Sequence, residues 1–172
     1  MSRNIDYEQQ IYNIEENPSV NGIYLIFILS TIKTCSLDQL ALSMYLFRFM
    51  NITLSLMEND EKQELLQVLS PSDSKNLDAL LTPYLNEKYN DRYKNALKVL
   101  LAKNIITVNE NLVKLNINLD LANEFNLTEP PFSKVYIKAK FVSNLIKAST
   151  VKDINQKINK IIGDIKWKTH FS

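Results

Sequence analysis

Glycine, histidine, cysteine and arginine are scarce in this chain, and each scarcity removes a class of chemistry. The two glycines, Gly22 and Gly163, lie far apart, so neither a phosphate-cradling loop nor a dinucleotide fingerprint can be assembled. His170 is the sole histidine and stands near the end, which leaves Ser-His-Asp and Cys-His arrangements without a well-placed base. Zinc sites need clusters of Cys and His, and there is one of each. Cys35 alone permits no internal disulfide, in keeping with a reducing compartment, and it reads as a small hydrophobe rather than a reactive thiol. The expectation is a non-enzyme with no catalytic, cofactor-binding or metal-binding residues. Three arginines, Arg3, Arg48 and Arg92, are few for a protein that reads guanine by bidentate hydrogen bonds.

Long apolar runs are missing too. The most apolar stretch, Ile23 to Leu29, is far short of the roughly 20 residues a spanning helix needs. The first residues, Met1-Ser2-Arg3-Asn4-Ile5-Asp6, lack the pattern of an export signal, so the expected location is the cytoplasm, away from membranes. The tripeptides Asn51-Ile52-Thr53 and Asn126-Leu127-Thr128 are then chance matches to the glycosylation pattern.

What is abundant is Leu, Ile, Asn and Lys, with hydrophobic residues making up 45% of the chain. That is enough apolar surface for a core, and the low glycine and proline content favours helices over a turn-dense sandwich. A short helix over 6–16 is expected to stop at Asn17-Pro18. Residues 21–33 are apolar nearly all round, the signature of a central helix, although their β-branched content also suits a buried strand. Ser36-Leu37-Asp38-Gln39 has capping-box spacing and starts a second helix after a tight Thr34-Cys35 turn. Tyr45 and Arg48, near its end, read as surface residues closing the helix, with partner contact as the alternative.

Residues 51–88 read as an acidic helical insertion: a loop, a helix led by Asp60 and Glu61, a break at Pro71 to Ser74, and a helix over 76–85. A helix over 91–103 follows, with Tyr93, Ala96, Leu97, Val99, Leu100 and Leu101 as its apolar residues. The runs 105–108 and 112–115 flank Asn109-Glu110-Asn111 and predict a β-hairpin. Further on, Pro130-Pro131 acts as a hinge, Ser133 as an N-cap, and a helix of about four turns runs on through Ile146, although 135–141 also alternates as a strand would. A final helix over 151–162 should stop at Gly163, a natural C-cap. The expected fold class is therefore mainly α: a winged-helix-like core of helices plus one β-hairpin, with an acidic helical insertion and C-terminal helices. The divisions are an N-terminal segment 1–19, a core 20–118 with its insertion at about 51–88, and a helical extension 119–172.

Charge is unevenly distributed. Six basic residues face twelve acidic ones through residue 88, and fourteen face seven thereafter, a split that suits an anionic partner as well as it suits solvated lysine-rich helix faces. On a winged helix the contacts to nucleic acid or a partner would come from Arg92, Lys94, Lys98, Lys103 and Lys114. A denser set is C-terminal: Lys134, Lys138, Lys140, Lys147, Lys157 and Lys160, with Lys152, Lys166, Lys168 and the aromatic Trp167 beside them.

This layout resembles the small middle component of bacterial three-component ABC ATPase systems, which includes the small subunit of Lamassu antiphage defence complexes. Asn17-Pro18 ahead of the apolar first helix, the acidic insertion, the helix and hairpin over 97–115, and the closing helices around Lys138-Ala139-Lys140-Phe141-Val142 and 151–163 carry the likeness. It spans nearly the whole chain, although its motifs are diffuse. The resemblance implies a non-catalytic accessory subunit that bridges an SMC-like ABC ATPase and an effector, often a nuclease in that family, in an antiphage or anti-plasmid defence complex associated with DNA. The competing reading is a free-standing winged-helix DNA-binding transcriptional regulator.

Overall fold

A computed structural model describes residues 16–74, 90–116 and 121–170. The chain is mainly helical with one small antiparallel sheet. The expected helices at 6–16 and 76–85 lie outside the described residues, apart from Glu16.

The first helix, α1 (Pro18–Ile32), starts where the sequence suggested a stop. The Asn17 side chain accepts from the amides of Ser19, at 2.8 Å, and Val20, and Pro18 occupies the first turn, where its missing N–H costs nothing. The same dipeptide that cannot continue a helix is well made to begin one. The backbone of 18–32 is α-helical, not a strand, and Leu25, Phe27, Ile28 and Leu29 are fully buried, which makes α1 the central helix. Each such side chain contributes on the order of 1.5–3 kcal/mol by leaving water.

The segment read as a tight turn is a strand, β1 (Thr34–Ser36), in which Cys35 is buried. Ser36 then caps α2 (Leu37–Arg48) by a complete capping box: its hydroxyl accepts from the Gln39 amide at 3.1 Å, and the Gln39 side chain accepts from the Ser36 amide at 2.9 Å. Helix α3 (Met50–Leu56) replaces the expected loop, and the buried Thr53 hydroxyl donates back to Leu46 O at 2.6 Å. Next come α4 (Asn59–Val68) and a single turn, α5 (Pro71–Ser74), where a break was expected.

Helix α6 (Asp91–Ala102) packs along α1 at Gly22, where an added Cβ would lie 3.3 Å from Leu100 Cδ2. It ends in a Schellman motif. Asn104 takes φ 54°, its amide donates to Leu101 O at 2.9 Å, and the Ile105 amide reaches Leu100 O at 2.9 Å. The expected hairpin forms from β2 (Ile106–Asn109) and β3 (Leu112–Leu115), but the left-handed residue in its turn is Glu110, at φ 54°, and neither asparagine. β1 joins the far edge of β3, so the hairpin is part of a three-stranded sheet ordered β1-β3-β2.

After a short helix, α7 (Leu121–Glu124), the chain is anchored to α1 by a cluster of Phe27, Phe125 and Phe132, with ring centroids 4.8–6.2 Å apart. Ser133 does not cap α8 (Phe132–Ala148); it lies inside the first turn, and its amide donates to Glu129 O at 3.1 Å. The last helix, α9 (Val151–His170), is capped by the Thr150 hydroxyl and passes through Gly163 without stopping. Ile154, Ile158 and Ile162 are buried at four-residue steps, and this continuous packed face outweighs the roughly 1 kcal/mol cost of a helical glycine. One apolar cluster includes residues from α1 through α9. Among the described residues, no helix is long and apolar enough to cross a membrane.

Candidate binding surfaces

Helix α6 is positioned through its first turn. The Asn90 side chain accepts from the Tyr93 amide at 2.9 Å, and the Tyr93 hydroxyl donates to Leu37 O at 3.3 Å. Tyr93, Ala96 and Leu100 are buried towards the core, which leaves Lys94, Asn95, Lys98 and Leu101 on the exposed side. Leu101, expected in the apolar stripe, is 42% exposed, because a position next to Leu100 is turned by about 100° from it.

On the sheet, period-two alternation buries Val113 and turns Leu112 and Lys114 outwards. Leu112 is 54% exposed, with Ser36 and Asn109 as its cross-strand neighbours, while Lys114 sits between Thr34 and Thr107. Together with Glu110 at the turn, these residues give the helix–hairpin region a mixed apolar and charged exterior.

The basic residues singled out from sequence fare differently. Arg92 is drawn into an ion pair with Glu16 and donates to it through Nε at 2.8 Å, so its guanidinium is engaged within the chain. Lys94 lies 3.7 Å from Asp91 in an exposed pair that contributes little stability, and Lys98 and Lys103 are exposed.

The C-terminal lysines divide between opposite sides of α8. Lys134 and Lys138, four residues apart, converge on Asp73: Lys134 is ion-paired with it and donates to Ser70 Oγ at 2.9 Å, while Lys138 lies 3.6 Å from Asp73 and 4.5 Å from the Phe47 ring centroid. Burial would raise the Asp73 carboxyl, but Lys134, the Ser70 hydroxyl and amide, and the Lys138 charge together hold it below its ordinary range. Lys140 and Lys147 face the other way, where Lys147 donates to Thr31 O at 2.9 Å and, with Lys33, they line a concavity beside the end of α1. Lys157 borders a different concavity with Glu58 and Glu61, and Lys160 is exposed on α9. Trp167 lies in α9, its side chain outside the described residues.

No known protein family, curated protein or solved structure matches this chain.

Of two residues read as surface features, one is interior and the other is partly covered. Tyr45 is 3% exposed, and burial pushes its phenol up to about 12; Arg48 is half-buried, with its guanidinium 5.4 Å from the Phe49 ring. Cys35 is 2% exposed, with its thiol pushed up to about 11 by burial. Among the described residues, no group of three or more His, Cys, Asp and Glu gathers as a metal would require. Lys33 was missed from sequence because a single lysine after an apolar helix carries no signal until α8 is folded beside it.

Proposed function

We propose that this chain is a non-catalytic accessory subunit with a winged-helix-like core, and that the exterior of α6 and the hairpin docks a protein partner. The order of elements supports the core assignment: helix, strand, helix, then α6 followed by two strands, with β1 against β3 in a sheet ordered β1-β3-β2, is the order of a winged helix carrying an insertion between its second and third helices. In such a domain α6 would hold the recognition position.

One observation carries the choice of a protein over a duplex. The exterior offers exposed Leu101 and Leu112 with Glu110 at the wing tip, while Arg92, the arginine on α6, is spent on Glu16. Exposed leucines suit an apolar docking patch, whereas a DNA reader concentrates arginine at base edges and positive charge at phosphates. The partners, an SMC-like ABC ATPase and an effector in an antiphage or anti-plasmid defence complex, are inferred from the layout that resembles the middle component of such systems.

The test is affinity purification of the tagged chain from its native host. A large ATPase and an effector should co-elute with the wild type and be lost from Leu101→Asp/Leu112→Asp, while Lys152→Glu/Lys160→Glu on exposed α9 retains them. A symmetric dimer that binds duplex with base preference, and loses it in Lys94→Glu/Lys98→Glu, would replace this reading with that of a DNA-binding regulator, which the exposed Lys94 and Lys98 favour.

A further inference from the structure

The concavity beside the end of α1 gathers three lysines from separate parts of the fold. Lys33 comes from the α1–β1 junction, and Lys140 and Lys147 come from α8, where seven residues, about two turns, place them on one face. The cavity measures about 430 Å³, within the range of small-molecule sites, and among the described residues no carboxylate lines it. Its floor is polar but supplied with partners: the Thr31 and Ser143 hydroxyls lie against each other, and their two protons have Ile28 O, 2.8 Å from Thr31 Oγ1, and Ala139 O, 2.7 Å from Ser143 Oγ, within reach. Lys147 offsets the negative end of the α1 dipole through Thr31 O. The Lys33 and Lys140 side chains have no hydrogen bond or ion pair among the described residues, so two ammonium groups that border the cavity lack a counter-charge there.

Two further features shape the site. Leu121, Leu127 and Tyr136 give one wall an apolar and aromatic surface, and the Asn144 amide supplies another polar group. Lys33 sits at φ 77° and ψ −62°, the strained γ-turn region, a conformation that costs a side-chain-bearing residue free energy glycine would not lose. A lysine held there places its charge at the cavity in spite of its backbone.

We infer that this cavity binds a phosphorylated small molecule with a flat or apolar body, of the size and charge of a nucleoside di- or triphosphate. Its phosphates lie against Lys33 and Lys140, and its body lies on Tyr136 and Leu127. The site is independent of the exterior of α6 and the hairpin, and it stands whether or not that surface docks a protein.

Calorimetric titration of the full chain with ATP, pyrophosphate and adenosine tests this. ATP should bind saturably and more tightly than pyrophosphate, and adenosine should show no saturation. Lys33→Gly/Lys140→Gln should weaken ATP at least about tenfold, whereas Lys152→Gln on exposed α9 should leave it unchanged. Lys33→Gly relieves the backbone, so the double variant should melt no lower than the wild type. Lys140→Gln alone, at an exposed helical position, should still weaken ATP and serves if the double variant does not fold. Absence of saturable ATP binding, equal affinity in the lysine variants, or a 5′-phosphorylated oligonucleotide that displaces ATP and binds more tightly would overturn the assignment.

Discussion

Lys134 on α8 is ion-paired with Asp73 on α5, which ties the acidic insertion to the helix that packs on α1. The pair is shielded, with side chains 28% and 15% exposed, and Ser70 bonds both partners. Replacing Asp73 with Asn should therefore cost about 1 to 3 kcal/mol at pH 7, because two lysines lose their counter-charge in a partly dry setting. Chemical denaturation of both proteins gives the difference.

The same carboxylate makes a pH prediction. Its folded pKa lies below the ordinary 3.8, so its contribution is complete above that value and is lost as pH falls through the lower folded value. The stability gap between wild type and Asp73→Asn should hold from neutral pH down to about pH 5 and then close in acid. A gap that widens on acidification would contradict the ion pair.

Ser36 serves two elements, ending β1 and capping α2. Ser36→Ala removes the acceptor for the Gln39 amide and should destabilise by about 1 kcal/mol. Ser36→Asp, which restores an acceptor, should recover most of that loss in thermal melts.

Gly163 lies exposed within α9, with nothing within 4 Å of an added Cβ. Gly163→Ala should raise stability by about 0.5–1 kcal/mol through helix propensity alone. A lower melting temperature would mean that α9 does not run continuously through this position.

With its thiol pushed up to about 11, only about one Cys35 in a thousand is thiolate at pH 8, and the residue is 2% exposed. Alkylation of the native protein should be slow and should track unfolding, becoming rapid in denaturant. Fast labelling under native conditions would show that β1 opens readily.

Periodicity and caps, which are local, made much of the helical framework legible: the capping box at Ser36, the apolar girdle of α1 and the asparagine-bounded hairpin each depend on residues within a few positions. The stop signal at Gly163 misled because packing supplied more than propensity withheld.

Of the candidate surfaces, sequence alone supplied the residue types: many lysines, few arginines, no glycine-rich loop. It could not assign partners to those lysines. Tertiary structure turned Lys134 and Lys138 towards Asp73, Lys140 and Lys147 towards Lys33, and made Thr34–Ser36 a strand by laying β3 beside it. A side chain's charge is set by its chemistry, but what that charge faces is set by segments distant in the chain, and only packing brings those together.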